Sequence, residues 1–377
     1  IEPFRVMALL ERAKQLEAAG RDVIHMEVGE PDFPTPTPIV EAGQRALRCG
    51  RVRYMPVSGL PELRQRISAY YERRYGTVID WSRVILTPGG SGALILSLAA
   101  LIDPGDRVLM ADPGYPCNRQ MVRLLGGVPL CIPAGPEHRY QLTAELAEAA
   151  WEPGIRVVMV ASPSNPTGTL LDRAEIDRLY RLARSRGAVL LVDEIYQGLV
   201  FDAEDCTALS VAEERLFVVN SFSKYFGMTG WRLGWVVAPW DSAAVLERLA
   251  QNLYLAPATI SQYAAMAAFG AETSAILEAR RGELRRRRDY LLGALSAIGF
   301  DFDVRPEGAF YLYGRCDRFG PSARVMTNDL LERDAVAVTS GCDFGLRDAD
   351  KYLRFAYTCD VSRLEQGVAR IRDFFET

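Results

Sequence analysis

Between about residue 60 and residue 220, short apolar runs alternate with stretches whose apolar residues follow helical spacing. The runs predicted as strands cover residues 84–86, 107–111, 128–132, 156–161, 188–192, 197–201 and 216–220. Short apolar runs separated by helices are typical of a mainly parallel sheet with helices on both faces. The sequence therefore predicts an α/β fold. In such sheets ligands bind beyond the carboxyl ends of the strands, so polar residues at those ends are the candidates for function.

The last third of the chain has a different pattern. Predicted helices at 241–252, 258–271 and 274–298 are followed by strand-like runs at 309–313, 335–339 and 352–356 and by a final amphipathic helix. This mixture predicts a second, smaller α+β unit. We expect residues 1–44 to form an N-terminal arm that belongs partly to the small domain. Residues 45–275 would form the large domain, and residues 276–377 the C-terminal small domain.

Charge and hydropathy exclude several classes of partner. The 377-residue chain has a formal net charge of −4, which implies no general attraction to nucleic acids or anionic membranes. Its longest apolar run, 93–102, is too short to span a bilayer. Six arginines lie between Arg280 and Arg288, where a nucleic-acid patch and the solvated face of a linking helix are the alternatives. Since the chain as a whole is not basic, the solvated face is favoured.

Cysteine and histidine usage narrows the chemistry. The seven cysteines are scattered with no CxxC spacing, which is typical of reduced thiols in a cytoplasmic protein, and the first residues do not resemble a secretory signal. The two histidines, His25 and His138, are isolated, so neither a histidine-built metal site nor a Ser-His-Asp triad is expected. A general base must then be another residue type, and lysine is the obvious candidate.

The strongest local signal surrounds Lys224. The apolar run 216–220 leads directly into Ser221, Ser223 and this lysine, and Arg232 follows eight residues after it. A lysine at the end of a buried strand loses its charge easily, because desolvation lowers its pKa, and a neutral lysine forms Schiff bases with carbonyl groups. The two hydroxyls and the arginine suit a phosphate. The alternative is a surface loop with an ordinary solvated lysine.

Two further turns lie at strand ends. Residues 87–92 form a Gly-rich turn before a helix, where Gly90 and Ser91 would present backbone N–H groups to a phosphate. A lone turn of this kind is weak evidence, and it lacks the spacing of a nucleotide-binding loop. Asp193 ends the very apolar run 188–192, where a carboxylate needs a cationic partner. Asp193 either forms a structural salt bridge or holds a protonated heterocyclic nitrogen of a ligand. The phenol of Tyr196 follows three residues later.

Three more positions complete the candidate site. In the turn 162–168 two prolines fix the backbone, and Asn165 offers its amide at the sheet edge. Tyr115 is a possible stacking platform, although a lone aromatic residue is more often part of the core. Arg354 lies within an apolar strand-like run, where a guanidinium should have an anionic partner, and a carboxylate suits it.

A Schiff-base lysine, an acid for a pyridinium nitrogen, phosphate donors and a carboxylate clamp are what pyridoxal 5′-phosphate (PLP) needs from a protein. The motifs Asn-Pro-Thr-Gly at 165–168, Asp-x-x-Tyr at 193–196 and Ser-x-Ser-Lys-x-Phe-Gly at 221–227, followed by Arg232, resemble the class I/II aminotransferases of PLP fold type I. The resemblance covers essentially the whole chain. It implies a mainly parallel seven-stranded sheet between helices in the large, PLP-binding domain, plus the smaller α+β domain, in a homodimer.

The resemblance also implies roles for single residues. Lys224 would bind PLP covalently and move a proton, Asp193 would keep the ring nitrogen protonated, and Tyr196 would bond the phenolic oxygen. The other expected PLP contacts are Asn165 at the phenolic oxygen, Tyr115 stacked on the ring, and Gly90, Ser91, Ser221, Ser223, Arg232 and, from the neighbouring subunit, Tyr54 around the phosphate. Arg354, Gly29 and Asn165 would bind the substrate carboxylate.

The expected reaction is amino transfer between an L-amino acid and a 2-oxoacid by a ping-pong mechanism. Two devices by which this family binds a distal carboxylate look absent. Ser91 stands where one subgroup has lysine, and the segment 252–257 contains no arginine. We therefore expect neutral aliphatic or aromatic donors, with 2-oxoglutarate or pyruvate as acceptor.

Other functions have to be weighed against this one. The alternatives among enzymes are a C–S β-lyase and an aspartate aminotransferase. A ligand-sensing domain of a transcription regulator would need an N-terminal DNA-binding module. A non-catalytic binding protein is not expected to keep both Lys224 and Asp193.

Overall fold

The centre of the fold is a seven-stranded sheet with strand order β2-β8-β7-β6-β5-β3-β4. The computed structural model describes residues 1–3 and 5–376. Strands β5, β6 and β7 and the pair β3–β4 run parallel, whereas β8 is antiparallel to both of its neighbours. The strands of this sheet are β2 (Val84–Thr87), β3 (Arg107–Asp112), β4 (Val128–Pro133), β5 (Ile155–Ala161), β6 (Val189–Asp193), β7 (Leu216–Ser221) and β8 (Gly234–Val237). The mainly parallel, seven-stranded sheet is therefore confirmed.

One predicted strand is wrong. The apolar run 197–201 is not a strand and makes only an isolated bridge between Val200 and Gly308. The backbone at Gly198 has a φ of 88°, in the left-handed region that an extended strand does not occupy. The seventh strand is instead β8, a short run that follows the lysine-bearing turn.

Helices cover both faces of the sheet. Along β6, Leu190 and Val192 join one apolar cluster and Leu191 joins the other, because successive strand residues point to opposite faces. The helices are α1 (Arg5–Ala18), α2 (Thr37–Arg48), α3 (Pro61–Tyr75), α4 (Gly89–Leu101), α5 (Pro116–Leu124), α6 (Ala144–Ala149), α7 (Arg173–Ser185), α8 (Ala243–Leu253), α9 (Thr259–Ala265), α10 (Ala271–Ile298), α11 (Ala323–Asp334) and α12 (Val361–Glu376).

The second unit contains two small sheets. In one, the central strand β12 (Tyr352–Ala356) pairs antiparallel with β9 (Tyr311–Arg315) and β11 (Thr339–Ser340). In the other, β1 (Ile24–His25) pairs parallel with β10 (Val336–Ala337), so the N-terminal segment is built into the C-terminal unit. On this basis we propose the division into 1–44, 45–275 and 276–377, with α10 as the connection between the two larger parts.

Five of the six arginines of α10 form ion pairs with acidic side chains. Arg287 bonds Asp32, and Arg285 and Arg288 share Asp202. Arg281 and Arg286 pair with glutamates one turn away on the same helix. Arg285, Arg287 and Arg288 tie the helix to other parts of the protein, as expected of a linking helix. The expected solvated face is wrong for Arg287 and Arg288, which are 3% and 0% exposed, because ion pairs with Asp32 and Asp202 compensate their burial.

The cysteines and the lengths of the helices can be compared with the expectations of free thiols and of no membrane-spanning segment. All seven cysteines are free thiols. Among the described residues, no helix has both the length and the apolar character needed to cross a bilayer.

The two-sided core leads to a stability prediction. Leu190 is fully buried in β6, so Leu190→Ala should lower the free energy of unfolding by about 2–5 kcal/mol through lost burial and a cavity. Leu124→Ala is the matched control, because Leu124 is 60% exposed, and it should change stability by less than about 0.5 kcal/mol. The measurement is urea unfolding followed by circular dichroism. Equal effects of the two substitutions would contradict the assigned register of β6.

Candidate active site

A cavity of about 280 Å³ lies beyond the carboxyl ends of the central strands. All of the residues predicted for the site line it, with the exception of Tyr54. They are Gly29, Gly90, Ser91, Tyr115, Asn165, Asp193, Tyr196, Ser221, Ser223, Lys224, Arg232 and Arg354. Most follow directly from a strand end of the large sheet, while Arg354 comes from β12 of the second unit.

Lys224 lies in this cavity with its amine held by one backbone group. Its Nζ donates a hydrogen bond of 2.7 Å to the carbonyl oxygen of Gly29. The ring centroids of Tyr196 and Phe310 lie 5.8 and 5.6 Å from Nζ. Burial lowers the pKa of Lys224 to about 8, although the carboxylate of Glu30 opposes the change. The amine is therefore partly neutral at neutral pH and can act as a nucleophile or a base.

Asp193 presents a buried carboxylate to the same cavity. The residue is 3% exposed, and its Oδ1 accepts a hydrogen bond of 3.1 Å from the backbone N–H of Ile195. Burial raises the pKa of Asp193 to about 7. Within the described part of the chain, it forms no ion pair. The arrangement suits a cationic ligand atom, because a buried carboxylate without a cation is costly.

Another part of the cavity wall is suited to an anion. Helix α4 begins at Gly89, so the Gly-rich segment forms the first helical turn, and no side chain caps its N–H groups. Ser221 Oγ donates to Ser223 Oγ over 2.9 Å beside this turn. A Cβ atom on Gly89 would lie 2.7 Å from the Nη2 of Arg232, which shows how closely the guanidinium approaches the turn. A helix N-terminus with hydroxyls and a guanidinium is a phosphate-binding arrangement.

Arg354 provides a second anion-binding group. It is 2% exposed, and its Nη1 donates to Asn165 Oδ1 over 3.0 Å. Its Nη2 donates to the carbonyl oxygen of Glu27, while its buried Nε has no hydrogen-bond partner. Burial lowers the pKa of Arg354, although a guanidinium remains charged. A charged side chain that is held only by neutral oxygens among the described residues suits a ligand carboxylate.

Three aromatic side chains complete the wall of the cavity. The hydroxyl oxygens of Tyr196 and Tyr311 are 2.9 Å apart, in a hydrogen bond between two buried phenols. Tyr115 precedes α5 at the cavity rim, and burial raises the pKa of its phenol well above the usual range. The guanidinium of Arg354 lies between two rings, 4.4 Å from the centroid of Tyr311 and 4.5 Å from that of Phe344.

Tyr54 is placed differently from the other predicted residues. It is 86% exposed and does not line the cavity of its own chain. This position agrees with a side chain that would reach a neighbouring subunit, which remains a prediction.

Several lining residues were not found from the sequence. Tyr311 lies within a strand of ordinary apolar pattern, so nothing distinguished it from core residues. Val6 and Met7 come from α1, and nothing in their apolar character marked them as residues of a binding site. The other additional lining residues are Val28, Glu30, Leu94, Ala161, Ile195 and Thr229.

The groups around the cavity fit PLP. The neutralisable amine of Lys224 matches its aldehyde, the unpaired carboxylate of Asp193 matches its ring nitrogen, and the uncapped start of α4 matches its phosphate. The fold and the site together define a PLP-dependent enzyme whose cofactor would lie across the carboxyl ends of a parallel sheet.

Comparisons with known proteins give the family. The family model described as aminotransferase class I and II matches residues 21–371. The chain is 35% identical over 372 residues to a valine–pyruvate aminotransferase of Mycobacterium tuberculosis, covering 98% of this chain and 96% of the relative. It is 36% identical over 393 residues to an aspartate aminotransferase of Streptomyces avermitilis, covering 99% of this chain and 94% of the relative.

A solved structure supports the same conclusion. The crystal structure of an aminotransferase from Mycobacterium tuberculosis matches with a TM-score of 0.96 and 34% identity, covering 100% of this chain and 97% of that chain. The chain belongs to the class I and II aminotransferases, and it is a PLP-dependent aminotransferase.

The lowered pKa of Lys224 can be measured directly, because the sequence has only three lysines, Lys14, Lys224 and Lys351. The neutral amine is the form that reacts with acetic anhydride. In the cofactor-free protein, acetylation of Lys224 should therefore reach half of its maximum rate near pH 8, as followed by peptide mass spectrometry. Lys351 is the internal control, since Asp348 raises the pKa of its amine and should move its reaction to higher pH. Similar midpoints for both lysines would contradict the desolvation of Lys224.

Proposed function

We propose that this aminotransferase exchanges the amino group between an L-amino acid with a neutral aliphatic or aromatic side chain and a 2-oxoacid such as 2-oxoglutarate or pyruvate. Donor and acceptor would use the same cavity in turn, in a ping-pong mechanism. The observation that carries this proposal is the charge of the cavity wall. Among the described residues that line it, the cationic side chains are Lys224, Arg232 and Arg354.

Each of these three cations already has a proposed partner in the reaction, so no cation of the lining remains for a second substrate carboxylate. Arg232 lies beside the start of α4, where the phosphate would bind, and Lys224 is the reacting amine. Arg354 would bind the carboxylate next to the substrate Cα. A distal carboxylate would then be enclosed without a counter-charge, which is unfavourable.

The remaining lining supports a neutral side chain. Val6 and Met7 of α1, together with Val28, Leu94 and Ile195, contribute apolar side chains to the cavity wall. Val6 is 4% exposed, so it is already packed into this wall. Burying an aliphatic or aromatic substrate side chain against such a surface gains about 25 cal/mol for each Å² removed from water.

The proposed mechanism follows from the placement of single groups. Arg354 and Asn165 hold the substrate carboxylate and thereby fix the direction of the Cα–H bond. The Nζ of Lys224 is more often neutral because its pKa is low, so it can take up the proton from Cα. It would then return a proton to the carbon that has received the amino group. Bound PLP supplies the carbonyl carbon that receives the amino group and a ring that accepts the electron pair left on Cα.

Other residues would hold the cofactor in place. Asp193 would hold a proton on the ring nitrogen, because its buried carboxylate forms no ion pair with the described residues. Tyr196 and Asn165 would bond the phenolic oxygen, and Tyr115 would stack on the ring. The phosphate would be bound by Gly90, Ser91, Ser221, Ser223 and Arg232, with Tyr54 added from the neighbouring subunit. The carbonyl of Gly29 would release Lys224 when the amine reacts.

Two alternatives are less well supported. A C–S β-lyase would use the same cavity, but membership of an aminotransferase family favours amino transfer. Aspartate as the donor is the stronger rival, since several relatives are named aspartate or aspartate/prephenate aminotransferases. Valine as the donor, named in another relative, agrees with an apolar wall.

We also propose a homodimer in the cytoplasm. The dimer is supported by Tyr54, because an 86% exposed tyrosine outside its own cavity is expected where a neighbouring chain covers it. Tyr54 would then complete the phosphate site of the partner. The cytoplasmic location is supported by the seven free thiols, which persist in a reducing compartment.

Subunit complementation tests the lysine and the dimer together. Lys224→Ala should abolish transamination, and Tyr54→Phe should lower it at limiting PLP. Mixed dimers formed from the two variants contain one site with both native side chains, so activity should return to about half of the wild-type value per dimer, by simple counting of sites. The measurement is alanine-dependent or leucine-dependent formation of glutamate from 2-oxoglutarate.

The control is a mixture of Tyr54→Phe with Lys224→Ala,Tyr54→Phe, in which every site that keeps Lys224 lacks the native Tyr54 side chain of either subunit. Activity of Lys224→Ala alone would disprove the assignment of the lysine. If the mixture of single variants stayed at the level of the control, Tyr54 would not act across an interface.

Donor preference tests the substrate class. With one fixed acceptor, kcat/KM for leucine or phenylalanine should exceed that for aspartate by at least about tenfold, or roughly 1.4 kcal/mol in the transition state. Ser91→Lys is the matched variant, because position 91 lies in the cavity wall and the substitution adds the missing cation. It should raise kcat/KM for aspartate relative to leucine. A wild-type preference for aspartate would show that a distal cation exists.

A further inference from the structure

Tyr311 touches two separate parts of the proposed machinery. It lies in β9, is 2% exposed, and lines the cavity. Its hydroxyl oxygen is 2.9 Å from that of Tyr196, and its ring centroid is 4.4 Å from the guanidinium carbon of Arg354. A Cβ on Gly29 would come within 1.8 Å of the Tyr311 hydroxyl, so the phenol is also confined by the backbone that accepts the Lys224 bond.

The two hydroxyls share one hydrogen bond, so its direction matters. A phenol carries a single proton and can donate it to one acceptor at a time. If Tyr196 donates its proton to a ligand oxygen in the cavity, the bond between the phenols must run from Tyr311 to Tyr196. A hydroxyl that accepts a hydrogen bond becomes a stronger donor itself, by cooperative polarisation.

We propose that Tyr311 is a positioning residue that acts through both of these neighbours. Its hydroxyl donates to Tyr196 and strengthens the hydrogen bond from Tyr196 to the phenolic oxygen of PLP. Its ring holds the guanidinium of Arg354 in the plane in which it binds the substrate carboxylate. The inference rests on the proposed roles of Tyr196 and Arg354 and adds the side chain that couples them.

The hydroxyl has a predictable effect on the bound cofactor. A donor to the phenolic oxygen stabilises its negative charge. The neighbouring nitrogen, which joins Lys224 to PLP, then loses its proton more easily. Removing the supporting bond from Tyr311 weakens the donor, so the pKa of that nitrogen should rise.

The first experiment is a pH titration of the visible absorbance of the PLP complex. In Tyr311→Phe, which keeps the ring and removes the hydroxyl, the spectroscopic pKa should rise by several tenths of a pH unit. Tyr357→Phe is the matched control. Tyr357 is also fully buried, but its hydroxyl bonds the carbonyl oxygen of Ala309, and the residue does not line the cavity. Its titration should coincide with that of the wild type.

The second experiment separates the ring from the hydroxyl. Tyr311→Leu removes the stacked face and should raise KM for the amino donor by about tenfold, the size of a desolvated cation–π contact. Tyr311→Phe keeps the aromatic ring over the guanidinium, so it should leave KM within about twofold of wild type. Phe344→Leu, on the other face of the guanidinium, is the comparison: it should raise KM without moving the spectroscopic pKa. Thermal unfolding of each variant identifies any general loss of structure.

The outcomes distinguish this inference from the function on which it depends. An unchanged or lowered spectroscopic pKa in Tyr311→Phe would overturn the proposed hydrogen-bond direction. A KM for Tyr311→Leu equal to that of Tyr311→Phe would overturn the role of the ring. If the wild-type protein gave no visible absorbance with PLP, the proposed function itself would fail, and this inference with it.

Discussion

The parallel pairing of β5, β6 and β7 is the constraint on which the site depends. In this register Asp193 lies beside Ala161 on one side and Val219 on the other, so three consecutive strand ends open at one edge. The segments that follow them carry Asn165, Asp193 and Lys224. A slip of one residue would turn every side chain of β6 to the opposite face and remove the carboxylate from the cavity.

Burial of unpaired charge is the second feature of the site. Asp193 and Arg354 are both almost inaccessible to water, and their hydrogen-bond partners among the described residues are neutral groups. Buried charges without counter-ions lower the stability of a fold. Burial of the two apolar clusters on either side of the sheet offsets this cost. A ligand with a cationic ring nitrogen and a carboxylate would supply both missing charges. The site is therefore organised in advance for the groups that an amino acid and PLP carry.

Much of the large domain follows from local sequence patterns. Six of the predicted runs became strands because apolar β-branched residues are concentrated in them. The run 197–201 failed because a single glycine in the left-handed region outweighs an apolar pattern. The strand β8 was not predicted because it is a short apolar run that directly follows the segment carrying Lys224 and Arg232. In the sequence the two look like one motif.

The sequence by itself determined which chemical groups stand at the strand ends: a lysine after β7, a carboxylate ending β6 and a glycine turn starting α4. Those features are local, because a strand end and a helix start are set by neighbouring residues. Only the tertiary structure decided that Tyr311 contacts both Tyr196 and Arg354, and that α1 forms one wall of the cavity. These contacts join segments far apart in the chain. Their geometry depends on how the second unit packs against the sheet, which no local pattern encodes.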